Sequence, residues 1–113
     1  MAKGPVFVIS SNKMGEGPED LGNILIRGMI KNLTKVEPAP ETIVFYNSGV
    51  ELMEMPEFVE GLQQLEEEHG TNILACGTCL DFFNLKEKID SDKHSNMHEI
   101  LTTLSNADKV VNI

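Results

Sequence analysis

The chain has 113 residues, 41% of them hydrophobic, which is enough for one domain with one core and too few for two. Lys and Arg total 9 against 18 Asp and Glu, so the formal net charge is −9. Such a surface repels nucleic-acid backbones and anionic lipid, and it suits a protein partner with basic patches. No apolar run has the length of a membrane span, and the first residues lack the apolar segment of a signal peptide. We therefore expect a cytoplasmic protein whose two cysteines stay reduced.

Apolar runs and helical periodicities alternate along the first two thirds of the chain. A β-branched run predicts a first strand at residues 5–10, and a glycine-containing loop then leads into a helix over residues 19–33. A second strand follows at residues 42–47 and ends at Ser48-Gly49. Residues 56–68 have the spacing of a second helix, and residues 72–76 form a third strand.

The last third is less regular. Residues 81–95 remain open between a short helix that contains Phe82 and Phe83 and a short fourth strand around Ile89. A helix is predicted at residues 97–104, with Asn96 as its N-cap and Glu99 closing a capping box, and a last strand at residues 109–113. This alternation predicts a single α/β domain over residues 1–113, with a mostly parallel sheet covered by helices on both faces.

Chemistry is indicated where the third strand ends. Cys76 and Cys79 stand three apart in Cys-Gly-Thr-Cys, at a predicted junction of strand and short helix. The partial positive charge at a helix start favours a thiolate and lowers the pKa of a cysteine there. We expect Cys76 to face a cleft and to act as the nucleophile, with Cys79 within reach to resolve what Cys76 captures.

Two other interpretations compete with redox or sulfur chemistry. Both cysteines could be small residues of the core, because free cysteine is among the most buried residue types. The spacing of Cys76 and Cys79 to His94 and His98 also fits a zinc finger. The predicted N-cap at Asn96 places His94 before the helix, so that the two imidazoles would not share a face. We therefore expect no bound metal.

Three loops should meet at the carboxyl edge of the sheet, where ligands gather in folds of this kind. They follow the first, second and third strands. The glycine pair of the first loop lacks the rest of a nucleotide-binding pattern, and a flexible turn ahead of the helix explains it better. The residues predicted to line the cleft around the thiols are Ser11, Asn12, Gly15, Gly17, Asn47, Ser48, Gly49, Gly77 and Thr78.

Nearly the full length of the chain resembles the DsrE family of small sulfur-handling proteins, and most closely the DsrE-like carboxyl-terminal domain of YedF proteins, which are linked to selenium metabolism. The segments that carry the resemblance are residues 9–22, 43–50 and 73–83, with Cys-Gly-Thr-Cys-Leu-Asp as the most specific element. The resemblance implies a flavodoxin-like three-layer α/β/α sandwich with about five strands, assembled as a homo-trimer or hexamer. YedF proteins also carry a TusA-like domain, which here would act as a separate protein.

The resemblance implies a sulfurtransferase-like relay of sulfur or selenium, with the persulfide on Cys76. Such exchange needs no cofactor. The partners would be sulfur donor and acceptor proteins, among them a TusA-like or SirA-like protein. Two alternatives remain: an oxidoreductase that cycles the dithiol, and an oligomeric module that binds a small ligand without catalysis.

Overall fold

The structure is a computed structural model that describes residues 4–113. Its strands are β1 (Val6–Ile9), β2 (Thr42–Phe45), β3 (Asn72–Cys76), β4 (His94–Ser95) and β5 (Val110–Asn112). Its α-helices are α1 (Glu19–Leu33), α2 (Pro56–His69), α3 (Gly77–Phe82) and α4 (Met97–Asn106). Two 3-10 helices lie at Asn47–Glu54 and Ser91–Lys93.

The five strands form one sheet in the order β4-β3-β2-β1-β5, and every pair is parallel. The chain steps in one direction from β1 to β4, and β5 then pairs with the free side of β1. The order therefore reverses between β1 and β5. This confirms the predicted α/β sandwich around a parallel five-stranded sheet.

The core has two layers because strand side chains alternate between the two faces of the sheet. Helices α1 and α2 cover one face, where Ile30 and Phe58 pack in one cluster with Ile43 and Phe45. Helix α4 covers the other face through Ile100, which is fully buried against Val6, Val44, Leu74 and Cys76. Cys76 thus belongs to the layer under α4.

The helix ends follow the sequence signals. Pro56 starts α2, and Gly70 ends it with a φ of 69°, a left-handed conformation that glycine adopts without strain. Asn96 caps α4 as predicted, with its Oδ1 accepting the Glu99 N–H at 2.8 Å. The Glu99 carboxylate accepts a hydrogen bond from the Ser95 hydroxyl at 2.5 Å. The cap therefore also joins β4 to α4.

Two segments differ from the sequence-based expectation. The fourth strand lies at His94–Ser95 and not around Ile89, because its two residues pair with the end of β3, where Ala75 faces His94 and Cys76 faces Ser95. The turn expected at Ser48-Gly49 is instead the start of the 3-10 helix Asn47–Glu54, which buries Val50, Leu52 and Met53. Burial of these apolar residues stabilises a helix where turn residues predicted only a reversal.

Lys93 fastens the irregular segment before β4 to α2. Its ammonium lies 3.5 Å from carboxylates of Glu66 and Asp90 and 3.9 Å from that of Asp92. Burial lowers the pKa of Lys93, but the charges of Glu66, Asp92 and Asp90 outweigh burial and leave that pKa raised. A lysine side chain only 17% exposed is therefore held charged by acidic neighbours.

Helix α1 leaves an apolar stripe uncovered. Leu21, Ile24 and Leu25 follow helical spacing on one face, and each is about half exposed or more. This stripe is compatible with self-association, and the trimer or hexamer stays a prediction for light scattering to test. In the described residues, no helix combines the length and the apolar character needed to cross a membrane.

Candidate functional site

The two cysteines lie on either side of the junction between β3 and α3. Cys76 is the last residue of β3 and the N-cap of α3, and Cys79 lies one turn into that helix. The junction is tight, since a Cβ on Gly77 would stand 3.1 Å from the carbonyl oxygen of Ser95. The predicted strand feeding a short helix is therefore confirmed.

Cys76 does not face a cleft. It is 3% exposed and shares an apolar cluster with Val44, Leu74 and Ile100 under α4. The expectation that Cys76 faces the cleft is wrong for this chain. The physical reason is the two-residue alternation of β3, which puts Cys76 on the same face as Leu74, and that face is covered by α4.

Cys79 is the accessible thiol. It is half-buried, and it lines an open depression of about 280 Å³ together with Asn47, Thr78, Phe82 and Phe83. The rings of Phe82 and Phe83 pack edge to face, with centroids 5.1 Å apart. A molecule arriving from solvent therefore meets Cys79 before it meets Cys76.

A backbone hydrogen bond holds the Cys79 sulfur. The Asn47 N–H donates to Cys79 Sγ at 3.1 Å. Burial raises the pKa of the Cys79 thiol, the Asn47 hydrogen bond lowers it, and the neighbouring Cys76 thiol raises it further. Burial outweighs the hydrogen bond, so the pKa lies above its usual range. The expectation that a helix start depresses this pKa is therefore wrong for Cys79.

The loop after β2 positions that N–H. Asn47 has a φ of 52°, in the left-handed region that asparagine tolerates better than most residues. Its Oδ1 accepts the Ser48 N–H at 2.8 Å, and the Ser48 hydroxyl accepts the Asn12 N–H at 3.1 Å. Asn12 Nδ2 in turn donates to Glu51 Oε1 at 3.1 Å. These bonds connect the loop after β1, through the loop after β2, to the sulfur.

A close backbone approach fixes the same loop. Gly49 is fully enclosed, and a Cβ at this position would collide with the carbonyl oxygen of Ile9, the last residue of β1. Ser11 is placed beside this contact, with its backbone nitrogen 3.4 Å from the same Cβ position. Only a glycine lets the two loops lie this close.

The structure divides the predicted cleft residues into three groups. Asn12, Asn47, Ser48 and Thr78 join the network or the depression beside Cys79, and Ser11, Gly49 and Gly77 provide its close contacts. Gly15 and Gly17 have positive φ values, and a Cβ at either position would have nothing within 4 Å, which fits the interpretation as a flexible turn.

Phe82 and Phe83, which form the aromatic wall of the depression, and the Glu51 carboxylate were not predicted as site residues. Phe82 and Phe83 were expected only as residues of a short helix, and Glu51 was not singled out. The signal for the wall was the pair of aromatic residues one turn after Cys79. Cys76 ends β3, and the Cys79 sulfur accepts a hydrogen bond from Asn47 beyond β2, so the thiols lie away from the reversal of strand order between β1 and β5.

His94 and His98 lie on different elements. His94 lies on β4, where its Nε2 is 2.9 Å from the Ile89 carbonyl oxygen, and His98 lies in the first turn of α4. The predicted separation of the two imidazoles by the helix start is therefore confirmed. Across residues 4–113, no three His, Cys, Asp or Glu side chains cluster in a way that could hold a metal ion.

Alkylation should reveal the raised pKa of Cys79. We expect iodoacetamide to modify Cys79 before Cys76, with a rate that rises with pH through a range above that of free cysteine, because the raised pKa keeps the thiol protonated to higher pH. Peptide mapping after timed quenching measures both. Cys76→Ala should move the profile to lower pH, since it removes a group that raises the pKa. Faster labelling of Cys76, or a midpoint below that of free cysteine, would contradict this.

Comparison with known families gives one match. The model of the DsrE/DsrF-like family matches residues 6–113, from the first residue of β1 to the end of the chain. A search of the curated proteins found no match. The matched segment includes all five strands and both cysteines.

Proposed function

Because the chain belongs to the DsrE/DsrF-like family, whose members are generally connected with sulfur relay, we propose that it carries sulfur as a persulfide on its cysteine pair. The supporting observation is the pairing of an accessible thiol, Cys79, with a second thiol close enough to affect its pKa. Cys79 can be reached by a sulfur donor, and Cys76 can attack the persulfide that then forms on Cys79.

The proposed transfer is an exchange at sulfur without net oxidation. The Cys79 thiolate attacks the outer sulfur of a donor persulfide, forms a new S–S bond, and releases the donor as a thiolate. The proton of the persulfide stays on the transferred sulfur. An acceptor thiolate then attacks that outer sulfur and regenerates the Cys79 thiolate. No electrons are gained or lost in either step, so the relay uses no cofactor.

Cys79 takes the role that the sequence assigned to Cys76. The reason is access, because Cys76 is enclosed under α4. Cys76 instead discharges a persulfide that no acceptor claims. Its thiolate attacks the inner sulfur of the Cys79 persulfide, a Cys76–Cys79 disulfide forms, and hydrosulfide leaves. Two equivalents of an external thiol then reduce the disulfide, form a disulfide of their own, and restore the pair.

The raised pKa of Cys79 has two opposing effects on this exchange. It lowers the fraction of thiolate at neutral pH, but the thiolate that forms is intrinsically more nucleophilic. The Asn47 N–H lies where it can stabilise negative charge on the sulfur during transfer. A thiol that stays mostly protonated until a bound donor approaches is consistent with a relay.

The contact between the two thiols also favours a second candidate, an oxidoreductase that cycles Cys76 and Cys79 between dithiol and disulfide. Intact-mass spectrometry after incubation with a persulfide donor separates the two when it is done on the Cys76→Ala variant, in which a persulfide on Cys79 cannot be converted into the Cys76–Cys79 disulfide. We expect this variant to gain one sulfur per chain. An unchanged mass in the variant, together with a loss of two hydrogens in the wild type, would indicate the oxidoreductase, and an unchanged mass in both proteins would contradict both candidates.

The finer assignment rests on resemblance. We propose that the chain is closest to the DsrE-like domain of YedF proteins, that selenium can replace sulfur as its cargo, and that a TusA-like protein is its donor. The Cys-Gly-Thr-Cys-Leu-Asp motif supports this proposal. The same mass assay tests the cargo and the donor, with a selenium donor in place of the sulfur donor and with a persulfidated TusA-like protein as the source.

A further inference from the structure

The depression beside Cys79 is small and apolar. Its volume of about 280 Å³ is close to the lower end of the range of roughly 300–1,000 Å³ typical of sites for drug-sized ligands and cofactors, and it has room for an aliphatic or aromatic side chain of a partner. Phe82 forms one wall and is 79% exposed, the most exposed of the large hydrophobic side chains in the described residues. A phenylalanine held open beside a reactive thiol offers apolar area for a partner to cover.

The electrostatics of this depression disfavour small anionic donors. Of the described residues that line it, Asn47, Thr78, Cys79, Phe82 and Phe83, none carries a charge. Several cations elsewhere already face carboxylates, as in the pairs of Arg27 with Glu57 and of Lys88 with Glu54. With a net charge of −9, the protein repels an approaching anion and attracts a basic surface.

We propose that this depression is a specificity site that takes an aliphatic or aromatic side chain next to the persulfide-bearing cysteine of a basic donor protein. The proposal rests on the proposed function and identifies the class of its donor. The apolar side chain covers Phe82 and Phe83, and the outer sulfur of the donor then lies at the Cys79 thiolate. The exchange is the one described above, in which the donor leaves as a thiolate.

The test compares three donors with the full-length protein. Two are lysine-containing peptides with a persulfidated cysteine, identical except that leucine or serine flanks the cysteine, and the third is glutathione persulfide. Initial rates of sulfur loading are followed by intact mass. We expect the leucine peptide to load about tenfold faster than the serine peptide, as partial burial of one aliphatic side chain implies. Glutathione persulfide should be slower than the leucine peptide.

Two variants locate the effect. Phe82→Ala should reduce the preference for the leucine peptide to about twofold or less, because half of the aromatic wall is lost. Leu101→Ala is the matched control, since Leu101 is 57% exposed on α4 and does not line the depression. It should leave the preference unchanged. Equal rates for the two peptides, a full preference in Phe82→Ala, or fastest loading from glutathione persulfide would each overturn the proposal.

A binding measurement keeps this inference separate from sulfur transfer. Fluorescence anisotropy of the same peptides, labelled at the amino terminus and with serine in place of cysteine, reports the apolar contact without chemistry. We expect the leucine peptide to bind more tightly, and Phe82→Ala to remove the difference. Equal affinities would overturn the apolar site even if loading proceeds. Preferential binding without loading would contradict the proposed function alone.

Discussion

Cys79→Ser is expected to abolish sulfur loading, and Cys76→Ala to preserve it and prolong the life of the persulfide. A serine hydroxyl is not ionised near neutral pH and cannot take sulfur, so we expect loading in Cys79→Ser to fall by about a hundredfold or more. Cys76→Ala removes the internal thiol that discharges the persulfide. Alanine is the better replacement because Cys76 lies among apolar side chains, where a serine hydroxyl would cost about 1–3 kcal/mol without a partner.

The measurement is intact mass at a series of times after the donor is removed, with circular dichroism to verify the fold of each variant. Loading retained in Cys79→Ser but lost in Cys76→Ala would return the carrier role to Cys76. Sulfur loading of Cys76 would require a motion that opens the apolar layer under α4. Loading retained in both single variants and lost in the double would mean that either thiol suffices.

Gly49→Ala is expected to destabilise the fold and to release the Cys79 sulfur. The added methyl group would collide with the carbonyl oxygen of Ile9. This rigid backbone atom belongs to the last residue of β1, which is fully buried. Overpacking of this kind costs about 1–3 kcal/mol, which corresponds to a fall in Tm of roughly 4–12 °C. The loop must shift, and the Asn47 N–H shifts with it. Urea denaturation measures the free energy of unfolding, and the alkylation rate of Cys79 shows whether its sulfur has been released from the Asn47 N–H.

Gly28→Ala is the matched control. It is the same substitution in α1, where nothing lies within 4 Å of the added methyl group. Alanine has the higher helix propensity, so we expect a stabilisation of about 0.5–1 kcal/mol and unchanged labelling of Cys79. A Gly49→Ala protein as stable as the wild type would show that the loop yields easily, and the account of the close contact with Ile9 would be wrong.

The sequence predicts most of the fold because its strands and helices have strong local signals. The bounds of β3 are those predicted, and α2 begins at Pro56 as predicted, since an apolar run and an N-terminal proline depend on few distant contacts. The strand β4 lacks such a signal. Two residues become a strand only because β3 is beside them, so pairing and not propensity decides their position.

The site was predicted in part for a similar reason. The motif identifies the two thiols, and the alternation of β3 shows that Cys76 and Ala75 face opposite ways. It does not show that α4 covers the side on which Cys76 lies. Phe82 presents the converse case, because a phenylalanine after an apolar run is typical of a core residue. Its exposure depends on the end of α3 and on what packs there, which local sequence does not determine.

The parallel sheet makes the chemistry of Cys79 dependent on complete folding. The bond from the Asn47 N–H to the Cys79 sulfur joins residues 32 apart in sequence, and it exists only after β2 and β3 have paired. Parallel pairing brings together distant segments and therefore forms late and slowly. The burial that raises the pKa of Cys79 depends on the same pairing, so the Cys79 thiol is more readily ionised in a nascent or partly folded chain than in the finished protein. Protection of the sulfur is consequently acquired at the end of folding.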